Sequence, residues 1–131
     1  RASLAELVRC PNVSVKLGGL GQRLSGFGFD RLERAPSSEH LADVWRPWFE
    51  TCVELFGASR CMVESNFPVD KGSYAYGVGW NAMKRIFAGA SADEKDHLFW
   101  RTAARVYRLA QAAAACRPDA QRQNAGVPAL T

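Results

Sequence analysis

A parallel α/β fold follows from three features of this sequence. Two short runs have strand character, Asn12 to Leu17 and Arg60 to Asn66; a long amphipathic pattern lies between them, from Ser38 to Gly57; and further helical patterns flank the pair. Two strands joined by a helix of that length make a parallel βαβ unit with a right-handed crossover. Parallel sheets are covered on both faces and are built from more than two strands, so the pattern suits one end of a larger (β/α)8 barrel better than a complete domain. The 131 residues are about half of the roughly 250 that such a barrel needs. The expected organisation is one helix-rich end of such a barrel over residues 1–115, then a flexible tail over 116–131. An opening residue Arg1 in place of Met is what the cut edge of a longer protein would show.

Each element has its own warrant. Ala2 to Arg9 has helical spacing and stops before Pro11, which a helix interior tolerates poorly. In the first strand Val13, Val15 and Leu17 alternate with Ser14 and Lys16. Five glycines between positions 18 and 28 then mark a loop that continues to Pro36. From Ser38 onward Leu41, Val44, Trp45, Trp48, Phe49, Cys52, Val53 and Phe56 recur at helical steps, and Gly57 closes the pattern. Pro47 within it predicts a kink or break near Arg46. The second strand is short, partly β-branched and bounded by Gly57 and Pro68. Helical spacing resumes through Trp80, Met83, Ile86 and Phe87. Ser91 and Glu94 form a capping box for a last helix, with a break near Thr102, that runs through Val106 and Tyr107 into an alanine run. The tryptophans at 45, 48, 80 and 100 are expected to pack helices onto the barrel.

Composition sets limits on function. At 47% hydrophobic and 23% charged residues the chain is ordinary globular material, and no apolar run reaches the length of a membrane span. The net charge of +4 comes from the second half, where nine Lys/Arg face four Asp/Glu. The arginines there, Arg101, Arg105, Arg108, Arg117 and Arg122, alternate with Ala, Leu and Val at helical spacing. That is the pattern of a solvated helix face, without the aromatic platform of a nucleic-acid footprint. Cys10, Cys52, Cys61 and Cys116 are scattered, as expected for buried free thiols in a reducing, cytoplasmic setting.

Several motifs are tested and fail. In the stretch from Gly18 to Gly28, Gly19 and Gly21 are followed by Leu24 where a dinucleotide fingerprint needs its third glycine. Gly26 is followed by Phe27 and not by the lysine of a phosphate loop. His40 and His97 sit in helical patterns without metal-ligand spacing. Chemistry is better placed at the strand ends. In a barrel, alternate side chains point inward and function gathers at the C-terminal ends of the strands. That turns Lys16, Glu64 and Asn66 toward a common interior, with Asp70 and Lys71 on the adjoining loop. A solvated strand end, or a Lys–Glu pair that only neutralises charge, is the structural alternative.

At these residues the sequence resembles the amidohydrolase-related superfamily, in particular its predicted metal-dependent hydrolases and lactonase-like members. NVSVKLGGL is similar to the family's penultimate strand, commonly NVYVKLSGL; RCMVESNFPVD to its last strand, usually RLMFGSDWPV; and TAARVYRL to its C-terminal helix. The resemblance runs from about Leu4 to Leu109 and implies a (β/α)8 hydrolase of small lactones, amides or carboxylated molecules, of which this chain is only the C-terminal part, with the last two barrel strands and their flanking helices. It implies further that any divalent metal is bound mainly by residues outside this chain, with no metal ligand within it. The expected partners are a small-molecule substrate and either the N-terminal remainder of the barrel or a second copy, with no nucleic acid and no membrane. The family's aspartate at the end of the last strand falls on Asn66, which cannot accept a proton at neutral pH. Glu64, two residues earlier, stands where the family has glycine. The catalytic candidates are therefore Glu64 as displaced carboxylate, Asn66 as an orienting group and Asp70 as a second carboxylate; Lys16 and Lys71 are the substrate-binding candidates. A ligand-binding member without catalysis and a small basic helical interaction module are the competing functions.

Overall fold

The structure is a computed structural model that describes residues 2–109. Helix α1 (Ala2–Val8) leads to strand β1 (Val15–Leu17), and helix α2 (Ser38–Phe56) leads to strand β2 (Cys61–Val63). Helix α3 (Tyr76–Ile86), helix α4 (Ala92–Asp96), a π-helical turn (His97–Arg101) and helix α5 (Thr102–Val106) follow. The two strands pair in parallel, with Val15 opposite Cys61, Lys16 opposite Met62 and Leu17 opposite Val63. This is the expected βαβ unit. One further ladder bond runs from the Glu64 amide to the Leu17 carbonyl at 3.0 Å.

Both strands are shorter than their sequence patterns. The Val13 amide donates to the Cys10 carbonyl at 3.2 Å, so the residues after Pro11 close a turn before the ladder begins. Arg60 ends a 3-10 turn, and Asn66 takes a left-handed backbone with φ of 52°. The alternation of the second strand therefore stops before Asn66. Within the ladder it holds as expected: Leu17, Cys61 and Val63 join the core with Leu41, Trp45 and Phe49 of α2 and Ala82, Met83 and Ile86 of α3. Lys16, Met62 and Glu64 belong to the opposite face.

Helix α2 supplies much of that core. Its N-cap is Ser37, whose hydroxyl accepts from the His40 amide at 3.3 Å. Of the kink or break expected near Arg46, the break does not occur: the helix continues through Pro47. Proline removes a hydrogen bond to the carbonyl four residues back, but a 19-residue helix packed along its whole apolar face retains enough others to continue. The tryptophans divide: Trp45 is fully buried, whereas Trp48 is 58% exposed beyond the apolar stripe and does not pack inward as expected.

The C-terminal segment closes over the start of β2. Ser91 and Glu94 form the expected capping box. The winding changes to π just before Thr102, where a break was expected. Thr102 is buried, and its hydroxyl donates to the carbonyls of Ala58 and Ser59 at 3.4 and 3.2 Å. Arg101 is held by Asp93 at 2.8 Å and Asp96 at 2.7 Å, so one member of the basic stripe is internally paired. The uniform expectation for cysteines also divides: Cys61 is buried, Cys52 half-buried and Cys10 exposed, because Cys10 falls in the turn after α1. Burial pushes the Cys61 thiol up to about 12, which keeps it protonated. Cys116, Arg117, Arg122, the alanine run and the tail expected over 116–131 lie outside the described residues. Among the described residues, no helix is long and apolar enough to cross a membrane.

Leu41 of α2, fully buried in the core cluster, tests this core. Leu41→Ala is expected to cost about 2–5 kcal/mol, read as a lower urea midpoint at unchanged slope. An unchanged midpoint would contradict the packing.

Candidate active site at the strand ends

The C-terminal ends of β1 and β2 lie side by side, and each continues into a loop that carries polar groups. Lys16 of β1 forms an ion pair with Glu64, the residue after β2; their side chains are 50% and 26% exposed. A hydrogen bond to the Glu64 carboxylate, and then its charge, raise the Lys16 ammonium above its ordinary pKa. The closeness of the two strand ends depends on Gly18. A Cβ at that position would clash with the Glu64 side chain and lie 2.7 Å from the Glu64 carbonyl oxygen.

A second cluster is built on Asp70. This residue sits in the 3-10 turn Val69–Gly72, after the cis Phe67–Pro68 bond, and is 1% exposed. Its carboxylate is shared: Asn66 Nδ2 donates to Oδ1 at 2.8 Å and the Tyr74 hydroxyl donates to Oδ2 at 2.7 Å. Burial, the hydrogen bond to Asp70 and the Asp70 charge push the Tyr74 phenol far above its ordinary pKa. The loop after β1 is pinned to the same place, because the buried Ser73 hydroxyl donates to the Gly21 carbonyl at 2.6 Å. A Cβ on Gly21 would stand 2.6 Å from the Tyr74 ring and 2.8 Å from the Asp70 carboxyl carbon. Gly79 of α3 gives the other edge of the Tyr74 ring the same clearance.

The structure thus brings Lys16 and Glu64 together, and joins Asn66 to Asp70. Two expectations are corrected. Asn66 does not project from the strand beside Glu64, because its left-handed backbone ends the alternation and turns its amide to Asp70. Asp70 does not stand open at the mouth; it is buried, with both oxygens engaged. Lys71 lies on the exposed side of the turn, away from the Lys16–Glu64 pair in bonding terms. Tyr74 and Ser73 were missed from the sequence. The one available signal was the four-residue step from Asp70 to Tyr74, which a helical turn brings together.

A metal does not fit these residues by themselves. Among the described residues, no group of three or more His, Cys, Asp or Glu side chains stands close enough to hold an ion. Lys16 compensates Glu64, while Asp70 is spent on Asn66 and Tyr74. No chemistry is therefore routed through a metal on this chain's own residues.

The sequence profile of the amidohydrolase family matches residues 1–109. The chain belongs to the amidohydrolase family. It is 37% identical over 109 residues to the uncharacterized protein y4mH of Sinorhizobium fredii, a match over 83% of this chain and 32% of that protein. It is also similar to an amidohydrolase from Burkholderia multivorans, at 28% identity and a TM-score of 0.69. That crystal structure, with bound zinc, is matched over 82% of this chain and 36% of its own. A second crystal form with bound HEPES gives the same TM-score over 35% of its chain. The chain therefore spans about a third of the length of these relatives.

Two measurements test the Asp70 cluster. Tyr74→Phe leaves the buried carboxylate with one donor fewer and is expected to cost about 1–3 kcal/mol at neutral pH. A loss within experimental error would contradict the buried network. The raised pKa values of Tyr74 and Lys16 carry a definite sign. Because the native values lie above the ordinary 10.0 and 10.5, both contributions are complete below about pH 10 and are lost as pH rises toward the native values. Difference spectra between the wild type and Tyr74→Phe should show no Tyr74 phenolate in the folded protein at pH 10. Ionisation there without unfolding would contradict it.

Proposed function

We propose that this chain is the C-terminal part of a (β/α)8 hydrolase of small lactones, amides or related carboxylated molecules, with β1 and β2 as the last two barrel strands. The observation that carries the reading is the Lys16–Glu64 pair. It sits at the C-terminal ends of adjacent parallel strands, on the face away from the helix-packed core, where barrel enzymes keep their chemistry. Family membership supports the reaction class, and the 36% coverage of the Burkholderia multivorans amidohydrolase supports the partial barrel.

In this reading Glu64 is the general base. Its carboxylate takes a proton from the attacking water as the water oxygen bonds to the substrate carbonyl carbon, and returns it to the leaving oxygen or nitrogen as that bond breaks. Lys16 stays protonated and offsets the negative charge. Asn66 orients the substrate or water, held in place by Asp70. The role of Asp70 is then positioning and not catalysis, and Lys71 has no assigned contact.

A second reading has its own observation. Asn66 stands where the family pattern that RCMVESNFPVD resembles has an aspartate, and an amide cannot accept a proton at neutral pH, which suits a member that binds a ligand without turning it over.

The test is Glu64→Gln in the full-length protein, assayed on a panel of lactones and amides. Turnover is expected to fall by about 10²–10⁴-fold with an unchanged thermal transition. Equal turnover by wild type and variant would overturn the assignment, and ligand binding by an inactive wild type would favour the second reading.

A further inference from the structure

Beside the Lys16–Glu64 pair, two side-chain amides converge on one small space. Gly19, two residues after β1, has a φ of 75°, and the position of a Cβ on it lies 3.5 Å from Gln22 Nε2 and 3.7 Å from Asn66 Nδ2. The amides come from different loops, one after each strand. Asn66 spends one amide hydrogen on Asp70, at 2.8 Å, so its nitrogen faces this side and keeps a second hydrogen to donate. Gln22 is half-buried, and among the described residues its side-chain amide has no hydrogen-bond partner. Its backbone is nevertheless fixed: the Gln22 amide and the Ser25 hydroxyl both donate to the Gly19 carbonyl, at 3.4 and 3.1 Å.

The surrounding charge selects what such a pair can hold. Lys16 is committed to Glu64, and the Asp70 carboxylate lies directly behind Asn66. An incoming anion would meet that negative charge with only neutral dipoles to offset it, whereas a neutral carbonyl oxygen meets two N–H groups and no repulsion. We propose that Gln22 and Asn66 together bind the carbonyl oxygen of a neutral ester, lactone or amide, which makes Gln22 a substrate-binding residue. The proposal rests on the hydrolase reading of this site and deepens it by naming the group that recognises the substrate carbonyl.

The experiment uses cyclohexanone, a neutral ring carbonyl that cannot be hydrolysed, titrated into the full-length protein and followed by NMR. The wild type is expected to bind it saturably. Gln22→Glu, whose carboxylate offers only acceptors, is expected to weaken binding at least about tenfold. The thermal transition should be unchanged, because the Gln22 side chain makes no hydrogen bond among the described residues. Equal binding by the variant, no saturable binding by the wild type, or tighter binding of acetate than of cyclohexanone at the same residues would each overturn the proposal. Since the probe is not turned over, intact cyclohexanone binding in a protein without hydrolytic activity would sink the hydrolase reading while sparing this one. Hydrolysis with unchanged affinity in Gln22→Glu would do the reverse.

Discussion

The Asp70 carboxylate is 1% exposed, and a charge in that position must be compensated wherever the chain puts it. Asn66 and Tyr74 provide the compensation, and in doing so they determine the shape of both loops. Asn66 reaches Asp70 from a left-handed backbone, beyond the end of β2. Tyr74 can reach it only with its ring against the backbone of Gly21 and Gly79, so the loop after β1 and the start of α3 must come close. The open site with Lys16 and Glu64 is thus framed by a closed one, in which a carboxylate serves architecture.

That division of labour separates what could be read from the sequence from what could not. The parallel βαβ unit was legible because periodicity in residues 12–17, 38–57 and 60–66 reports burial directly. The pairing of Lys16 with Glu64 was legible for the same reason: two charged residues at alternating positions of neighbouring parallel strands share a face. The fate of Asn66 was not, because a single left-handed residue leaves no periodic trace. Nor was the burial of Asp70, since the sequence of its turn, Val69 to Gly72, reads as an ordinary polar loop. Pro47 was legible only in part: a local rule predicted a kink or a break, and α2 continues unbroken with its apolar residues in the core.

The sheet is small for the work assigned to it. Two strands of three residues each leave both outer edges without a partner among the described residues. The matched region covers only about a third of each of these relatives. The core beneath the sheet is nonetheless continuous from Phe29 through α2 and α3 to Leu98. Residues 2–109 therefore carry their own apolar interior on the helical side.

The loop after β1 has a consequence for how this protein can vary over generations. Gly18 and Gly21 are spaces reserved for atoms of other residues, Glu64 at the first and Asp70 with Tyr74 at the second. Gly26 and Gly28, a few positions on, have nothing within 4 Å of the place a Cβ would take, so their demand is only on backbone torsion, which asparagine or aspartate can partly meet. Within one stretch of eleven residues glycine is thus held by two unlike constraints. A change at 26 or 28 stays a local matter, whereas any side chain at 18 or 21 must displace residues more than forty places away in the chain.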